Sequence, residues 1–260
     1  MSGKIESVLT LQKKKFQSKI SMLTCYDFQT AQMLNETDVD LLLVGDSLGN
    51  VILGESTTLS VTVEHMKIFG RAVKKGAPDK FVVVDMPFAS YDTISRGLRH
   101  ASEILQFTQA EAVKIEGAFP YQCELIERLG MIGVPVMGHI GLRPQSVHTQ
   151  GGYHKHGKDS ESKLKLMEES KNLEAAGAFA IVLECVEDDL SKEITESLKI
   201  PTIGIGSGSQ VDGQVLVIND LFHNGKQDPP KFCEPIINLF EEKKKWLKKY
   251  IENIKKGHEK

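Results

Sequence analysis

Cysteine is scarce and scattered in this chain. The four cysteines (Cys25, Cys123, Cys185 and Cys233) lie far apart among 260 residues, with no Cys-x-x-Cys pair. That spacing argues against a zinc ribbon or a disulfide framework and suits reduced thiols in a cytosolic protein. A basic excess is also missing. Lys and Arg number 32 against 35 Asp and Glu, a formal net charge of −3, whereas nucleic-acid-binding domains usually carry the opposite balance. No apolar run approaches the roughly 20 residues of a membrane span; the stretch 175–183 is among the longest. The opening MSGKIESVLTLQKKKF is mixed and charged, without an apolar h-region, and does not read as a signal peptide. No linker, internal repeat or low-complexity block interrupts the chain.

What is present is alternation. Apolar runs rich in β-branched residues occur at ISMLTC (20–25), DLLLVG (40–45), KFVVVD (80–85), AVKIE (112–116), VPVMG (134–138), AFAIVLE (178–184), IPTIGIG (200–206) and QVLVI (214–218). Most are continuous runs, as parallel strands covered on both faces require. Helical patterns fall between them at 27–36, 62–75, 92–109, 120–130, 159–176 and 187–197. Asp27, Asp92 and Ser191 are the expected N-caps at three of these starts. The gap between the last two strands is short and Gly-rich, too short for a full helix. Eight strands alternating with helices predict an α/β fold of the (β/α)₈ TIM-barrel type, with an open doubly wound sheet as the alternative. The whole chain, 1–260, is read as one barrel domain with an N-terminal extension and a C-terminal helix. That last helix has apolar positions from Ile236 to Ile254 and a Lys-rich opposite face.

Barrel active sites are built at the C-terminal ends of the strands. The second strand here ends at Asp46 and the third at Asp85; the fourth carries Lys114 and Glu116, two apart and so on one face. The fifth leads into His139, at the head of a Gly- and His-rich loop to Asp159, and the sixth ends at Glu184. Charges inside apolar strands are costly unless paired or bound to metal. Asp46, Asp85 and Glu116 together make a hard-oxygen site that favours Mg²⁺ over zinc. Lys114 reads as an anchor for a substrate carboxylate, a Schiff-base lysine, or a salt-bridge partner of Glu116. Glu184, alone in apolar company, is the expected general base. His139 reads either as a group that polarises or orients substrate or as a structural loop histidine. GIGSGS (204–209) reads as a tight turn, and His148, His154 and His156 as surface or lid residues.

The blocks MLTCYDFQTAQ, DLLLVGDSLGNVILG, VVVDMPFASY, AVKIEGA, GHIGLRPQSVHTQGGY, VLECV and IPTIGIGSG with VDGQVLV resemble, in order and over most of the chain, the ketopantoate hydroxymethyltransferase family. The resemblance implies a barrel of the group that includes isocitrate lyase and phosphoenolpyruvate mutase. It also implies a cytoplasmic homo-oligomer, commonly a decamer of two stacked pentamers, in the pantothenate pathway. By the same resemblance Asp46, Asp85 and Glu116 bind Mg²⁺, Ser47 and Lys114 contact a 2-oxo acid, and Glu184 accepts its proton. The one-carbon donor would be 5,10-methylenetetrahydrofolate. Ser60, Ala89, Ala118 and His156 depart from the usual pattern, all away from the metal and the base. Two other readings compete: a Mg²⁺-dependent lyase or aldolase, and a silent barrel used for binding. The lyase would be expected to carry a catalytic cysteine on a mobile loop, where none of the four cysteines here lies, although Cys185 follows Glu184 directly.

Overall fold

Eight parallel strands close on themselves in chain order: β1 (Ile20–Thr24), β2 (Leu41–Val44), β3 (Phe81–Asp85), β4 (Ala112–Glu116), β5 (Val136–Gly141), β6 (Ala180–Glu184), β7 (Thr202–Ile205) and β8 (Gly213–Leu216). This computed structural model describes residues 7–152 and 154–257. The first six residues of the N-terminal extension and Tyr153 of the GGY block lie outside the described residues. Every expected strand is present, and closure removes the open-sheet alternative. One boundary moves. β5 runs three residues further than the apolar run, because His139 pairs with Glu116 on one side and Val182 on the other. His139 is therefore a buried strand residue and not a loop histidine.

The period of two then sorts the barrel interior. Phe81 and Val83 precede Asp85 on one face of β3, and Ala112 precedes Lys114 and Glu116 on β4. Met137 precedes His139, and Ala180 and Val182 precede Glu184. The first members of each set join Leu11, Ile20, Met22, Leu41, Leu43, Phe179, Ile203, Ile205 and Val215 in one apolar cluster, where Phe81 and Phe179 meet edge to face at 5.7 Å. Burying each such side chain is worth about 1.5–3 kcal/mol. The barrel is thus apolar toward its strand starts and charged at its strand ends.

Leu11 comes from a helix, Val8–Lys14, that the apolar periodicity did not announce. Just past it, the buried Lys15 ammonium donates to Asp212 Oδ2 (2.8 Å) and to the Thr195 carbonyl (2.9 Å), while Asp212 Oδ2 also accepts from the Thr202 N–H (2.9 Å).

The expected helices are Phe28–Asn35, Val63–Gly76, Ile94–Thr108, Pro120–Met131, Ser160–Ala175 and Asp188–Ser197. Asp27 caps the first, accepting from the Thr30 N–H. Two other caps are corrected. Thr93, not Asp92, caps Ile94–Thr108; Asp92 instead pairs with Arg96 at 2.8 Å. Ser191 is buried inside Asp188–Ser197, which has no side-chain cap and starts instead with Asp188 and Asp189, acids that suit the positive end of the helix dipole. No helix separates β7 from β8, as expected.

The chain divides into two compact units, one through Val215 and one from Leu216. The second contains the helix Leu239–Lys255, none of whose residues is buried; Trp246, Leu247, Tyr250, Ile251 and Ile254 are all exposed. Among the described residues, no helix is long and apolar enough to cross a membrane.

Candidate active site

The side chains at the strand ends converge. Lys114 Nζ lies 3.0 Å from Asp85 Oδ1, 3.9 Å from Glu116 Oε1 and 3.2 Å from His139 Nδ1. His139 Nε2 in turn lies 3.3 Å from Glu184 Oε2. Asp46, Asp85, Lys114, Glu116 and His139 are all at most 4% exposed, and Glu184 sits at the rim with 17% of its side chain exposed. Asp46 follows β2 and joins the group through its backbone, whose N–H donates to Asp85 Oδ2 (2.9 Å). Six of the residues singled out from sequence are therefore in one place.

One residue that sequence reasoning did not single out organises them. Gln145 lies in a short 3₁₀ turn, Pro144–Ser146, after β5. Its Nε2 donates to Asp46 Oδ2 and to the Met86 carbonyl, both at 2.9 Å, and its backbone N–H donates to Glu116 Oε2 (3.2 Å). Tyr91 Oη donates to Gln145 Oε1 (2.7 Å). Within the quoted GLRPQS block Gln145 had no periodicity or charge to mark it.

The carboxylates are thus half used. One oxygen of each of Asp46, Asp85 and Glu116 accepts a fixed hydrogen bond. Asp85 Oδ1 is paired with the Lys114 ammonium at 3.0 Å, whereas the buried Glu116 Oε1 has no hydrogen bond. Buried oxygens without donors are rare in folded proteins, and carboxylate oxygens are the donors a hard divalent cation selects. These three residues fit such a cation by chemistry. No three His, Cys, Asp or Glu side chains among the described residues are already drawn together as a finished metal cage; the Lys114 ammonium stands among the acids instead.

Electrostatics divides the roles. Burial would pull the Lys114 pKa down, but the Asp85, Glu116 and Asp46 charges outweigh it and raise the value, so Lys114 is a cation. Burial, then the neighbouring acid, raises Asp46 and Glu116, with Lys114 opposing. Burial and the Lys114 charge hold His139 well below its ordinary value, so the ring is neutral. A cationic Lys114 facing Nδ1 leaves the ring proton on Nε2, the atom nearest Glu184. Burial lifts Glu184 to about 7 against the pull of Lys114, the range a general base needs.

The backbone around Glu184 is tightly constrained. Its carbonyl accepts from the Leu142 N–H (2.8 Å). Gly141, at φ +93°, lies so close that a Cβ there would sit 2.2 Å from the Glu184 oxygen. Cys185 turns the chain at φ +50°.

Ser47 shares a hydrogen bond with Tyr26 Oη (2.8 Å), and a Cβ on Gly45 would lie 2.8 Å from Ser47 Oγ and 3.6 Å from Asp85 Oδ2. Ser47 is therefore close to the acids. Of the loop histidines, His154 and His156 stack on each other at 4.5 Å, and the His156 backbone N–H donates to the Cys185 carbonyl (2.7 Å), next to Glu184. GIGSGS is a turn, held by Ser207 Oγ, which accepts from the Val186 N–H (3.0 Å) and donates to the Leu183 carbonyl (2.8 Å).

The fold is shared with phosphoenolpyruvate phosphomutase from Streptomyces platensis subsp. rosaceus (TM-score 0.65, 12% identity, 97% of this chain and 88% of that one). It is shared too with phosphonopyruvate hydrolase, solved with oxalate and Mg²⁺ (TM-score 0.60, 10% identity, 81% and 80%). Sequence similarity is far closer elsewhere. Proteins named 3-methyl-2-oxobutanoate hydroxymethyltransferase are 48% identical over 246 residues in Leptospira interrogans serogroup Icterohaemorrhagiae serovar copenhageni (94% of this chain, 93% of that protein) and 47% identical over 252 residues in Thermotoga maritima (96% and 93%). Residues 6–258 match the family described as ketopantoate hydroxymethyltransferase. A closed parallel barrel with this acid set at its strand ends and this similarity along its length belongs to the ketopantoate hydroxymethyltransferase family, and the chain is an enzyme of that class.

Proposed function

We propose that this chain transfers a hydroxymethyl group from 5,10-methylenetetrahydrofolate to 3-methyl-2-oxobutanoate, forming 2-dehydropantoate on the route to pantothenate and coenzyme A. The observation that carries the chemistry is the convergence at the strand ends of Glu184, its pKa lifted by burial to about 7, with Asp46, Asp85 and Glu116, the last of which keeps a buried oxygen, Oε1, without a hydrogen bond. Family membership supports the substrate and the donor. The same resemblance supports a cytoplasmic homo-oligomer, with the decamer as the expected assembly.

In this reading Asp46, Asp85 and Glu116 hold Mg²⁺. When bound, that ion supplies Lewis-acid stabilisation of the charge that develops on the keto oxygen of the substrate. The chain's own residues do the rest. Lys114, a buried cation, attracts the 2-oxo acid carboxylate, and Ser47 offers a hydroxyl beside it. Glu184 removes the proton from C3. His139, held neutral, places Nε2 3.3 Å from Glu184 Oε2 without adding charge there. C3 then forms its bond to the methylene carbon of the folate as one methylene–nitrogen bond breaks. Water displaces the second nitrogen at that carbon and leaves its hydroxyl on the product, while the two nitrogens of the departing tetrahydrofolate take up the proton from C3 and one proton of the water.

Incubation with 3-methyl-2-oxobutanoate and Mg²⁺ in D₂O, without folate, tests this directly. NMR is expected to show deuterium entering C3 with the wild-type protein, a slowing of about 10²–10⁴-fold in Glu184→Gln, and product only after methylenetetrahydrofolate is added. Wild-type protein that exchanges no C3 hydrogen, with or without folate, overturns the mechanism.

A further inference from the structure

Gln145 makes contacts that no packing need explains. It is 7% exposed and touches groups from four segments: Asp46 after β2, Met86 after β3, Tyr91 in the next loop and Glu116 in β4. Only an amide can do this. Its NH₂ gives one hydrogen to each of two acceptors, Asp46 Oδ2 and the Met86 carbonyl, so the amide cannot be flipped without setting oxygen against oxygen. Oε1 then accepts from the Tyr91 hydroxyl at 2.7 Å, a buried phenol acting as the donor. Pro144 fixes one backbone angle of the turn, and the Gln145 N–H reaches Glu116 Oε2 from it.

We infer that Gln145 is a positioning residue for the cation site. It pins one oxygen of Asp46 and one of Glu116, and Tyr91 locks its amide in the orientation that does so. The effect is to set the rotation of two carboxylates that come from different strands, so that Glu116 Oε1 stays without a protein donor. Groups that orient metal ligands in this way typically account for 10–100-fold in affinity. The inference rests on Asp46, Asp85 and Glu116 being a divalent-cation site, and it adds a residue from the β5 loop to that site.

Binding of Mn²⁺ to the whole protein, followed by the loss of the free-ion EPR signal, separates the two ideas. Gln145→Met keeps the length of the side chain and removes its donors; its Mn²⁺ affinity is expected to fall about 10–100-fold. Tyr91→Phe removes only the lock, and a smaller loss in the same direction is expected. A residue that merely stabilises the fold would lower the melting temperature and leave the Mn²⁺ affinity of the folded protein unchanged. Wild-type affinity in Gln145→Met overturns the inference. If Gln145→Met does not fold, wild-type affinity in Tyr91→Phe does so. Wild-type protein that binds no Mn²⁺ overturns the cation site itself, and the inference with it.

Discussion

His139 Nε2 stands 3.3 Å from Glu184 Oε2, and burial with the nearby Lys114 charge keeps that imidazole neutral. A neutral neighbour does not stabilise the Glu184 carboxylate by charge, so the base keeps the raised pKa that burial imposes.

The pH dependence follows. With Glu184 as the proposed base, the rate of C3 exchange is expected to rise with pH through about 7 and then level. Stability runs the other way. Burial raises Glu184 from an ordinary 4.5 to about 7, so the folded chain holds the proton more tightly than the unfolded one. That contribution is complete below about 4.5 and is lost as pH rises through 7. Glu184→Gln is therefore expected to melt higher than wild type at pH 8 and to lose this advantage at pH 5. Parallel pH profiles of exchange and of melting temperature check both signs; a flat wild-type exchange profile between 5.5 and 8.5 would remove Glu184 as the base.

Lys114 is the counter-ion of Asp85 and Glu116. Lys114→Met leaves buried acids uncompensated and is expected to cost about 3–5 kcal/mol, read by urea unfolding without added metal. Millimolar Mg²⁺ is expected to restore more stability to this variant than to wild type, because the acids then have another cation. Equal Mg²⁺ effects in the two proteins would contradict the site described here.

Lys15 and Asp212 form a buried pair away from the strand-end acids, 2.8 Å apart and each with 4% of its side chain exposed. Lys15→Met strands Asp212 and removes the donor to the Thr195 carbonyl. A loss of about 3–5 kcal/mol is expected, with the exchange rate per folded molecule unchanged. A variant as stable as wild type would show that this pair does not hold the N-terminal helix down.

The thiols are expected to be chemically quiet. Burial, then the Glu184 charge, pushes Cys185 up to about 11, and burial pushes Cys25 up to about 12. The thiolate is the reactive form. Iodoacetamide at pH 7.5 is expected to modify neither in minutes, and Cys185→Ser to retain exchange within a few fold. Inactivation by alkylation at Cys185 would revive the lyase reading.

The barrel was legible because parallel strands buried on both faces read as apolar runs, and a charge in such a run stands out. Asp85, Lys114, Glu116 and Glu184 were visible for that reason alone. His139 was visible too, but its place inside β5 was not, because the strand continues on hydrogen bonds with Glu116 and Val182 and not on apolar residues. Gln145 and Tyr91 were hidden. Their importance lies in contacts across 29 to 99 positions of sequence, which no local pattern encodes. Ser191 shows the opposite error: a residue type that suits a cap, placed in mid-helix by the packing of its neighbours.

Lys114 has a consequence for the order in which the protein is made ready. Many small metal domains cannot fold until the ion arrives, since nothing else neutralises their ligands. Here an ammonium covalently part of β4 already sits between two of the acids. The newly made chain carries its own counter-charge, so on the proposed reading folding does not have to wait for the cation. A chelator is then expected to leave the protein folded.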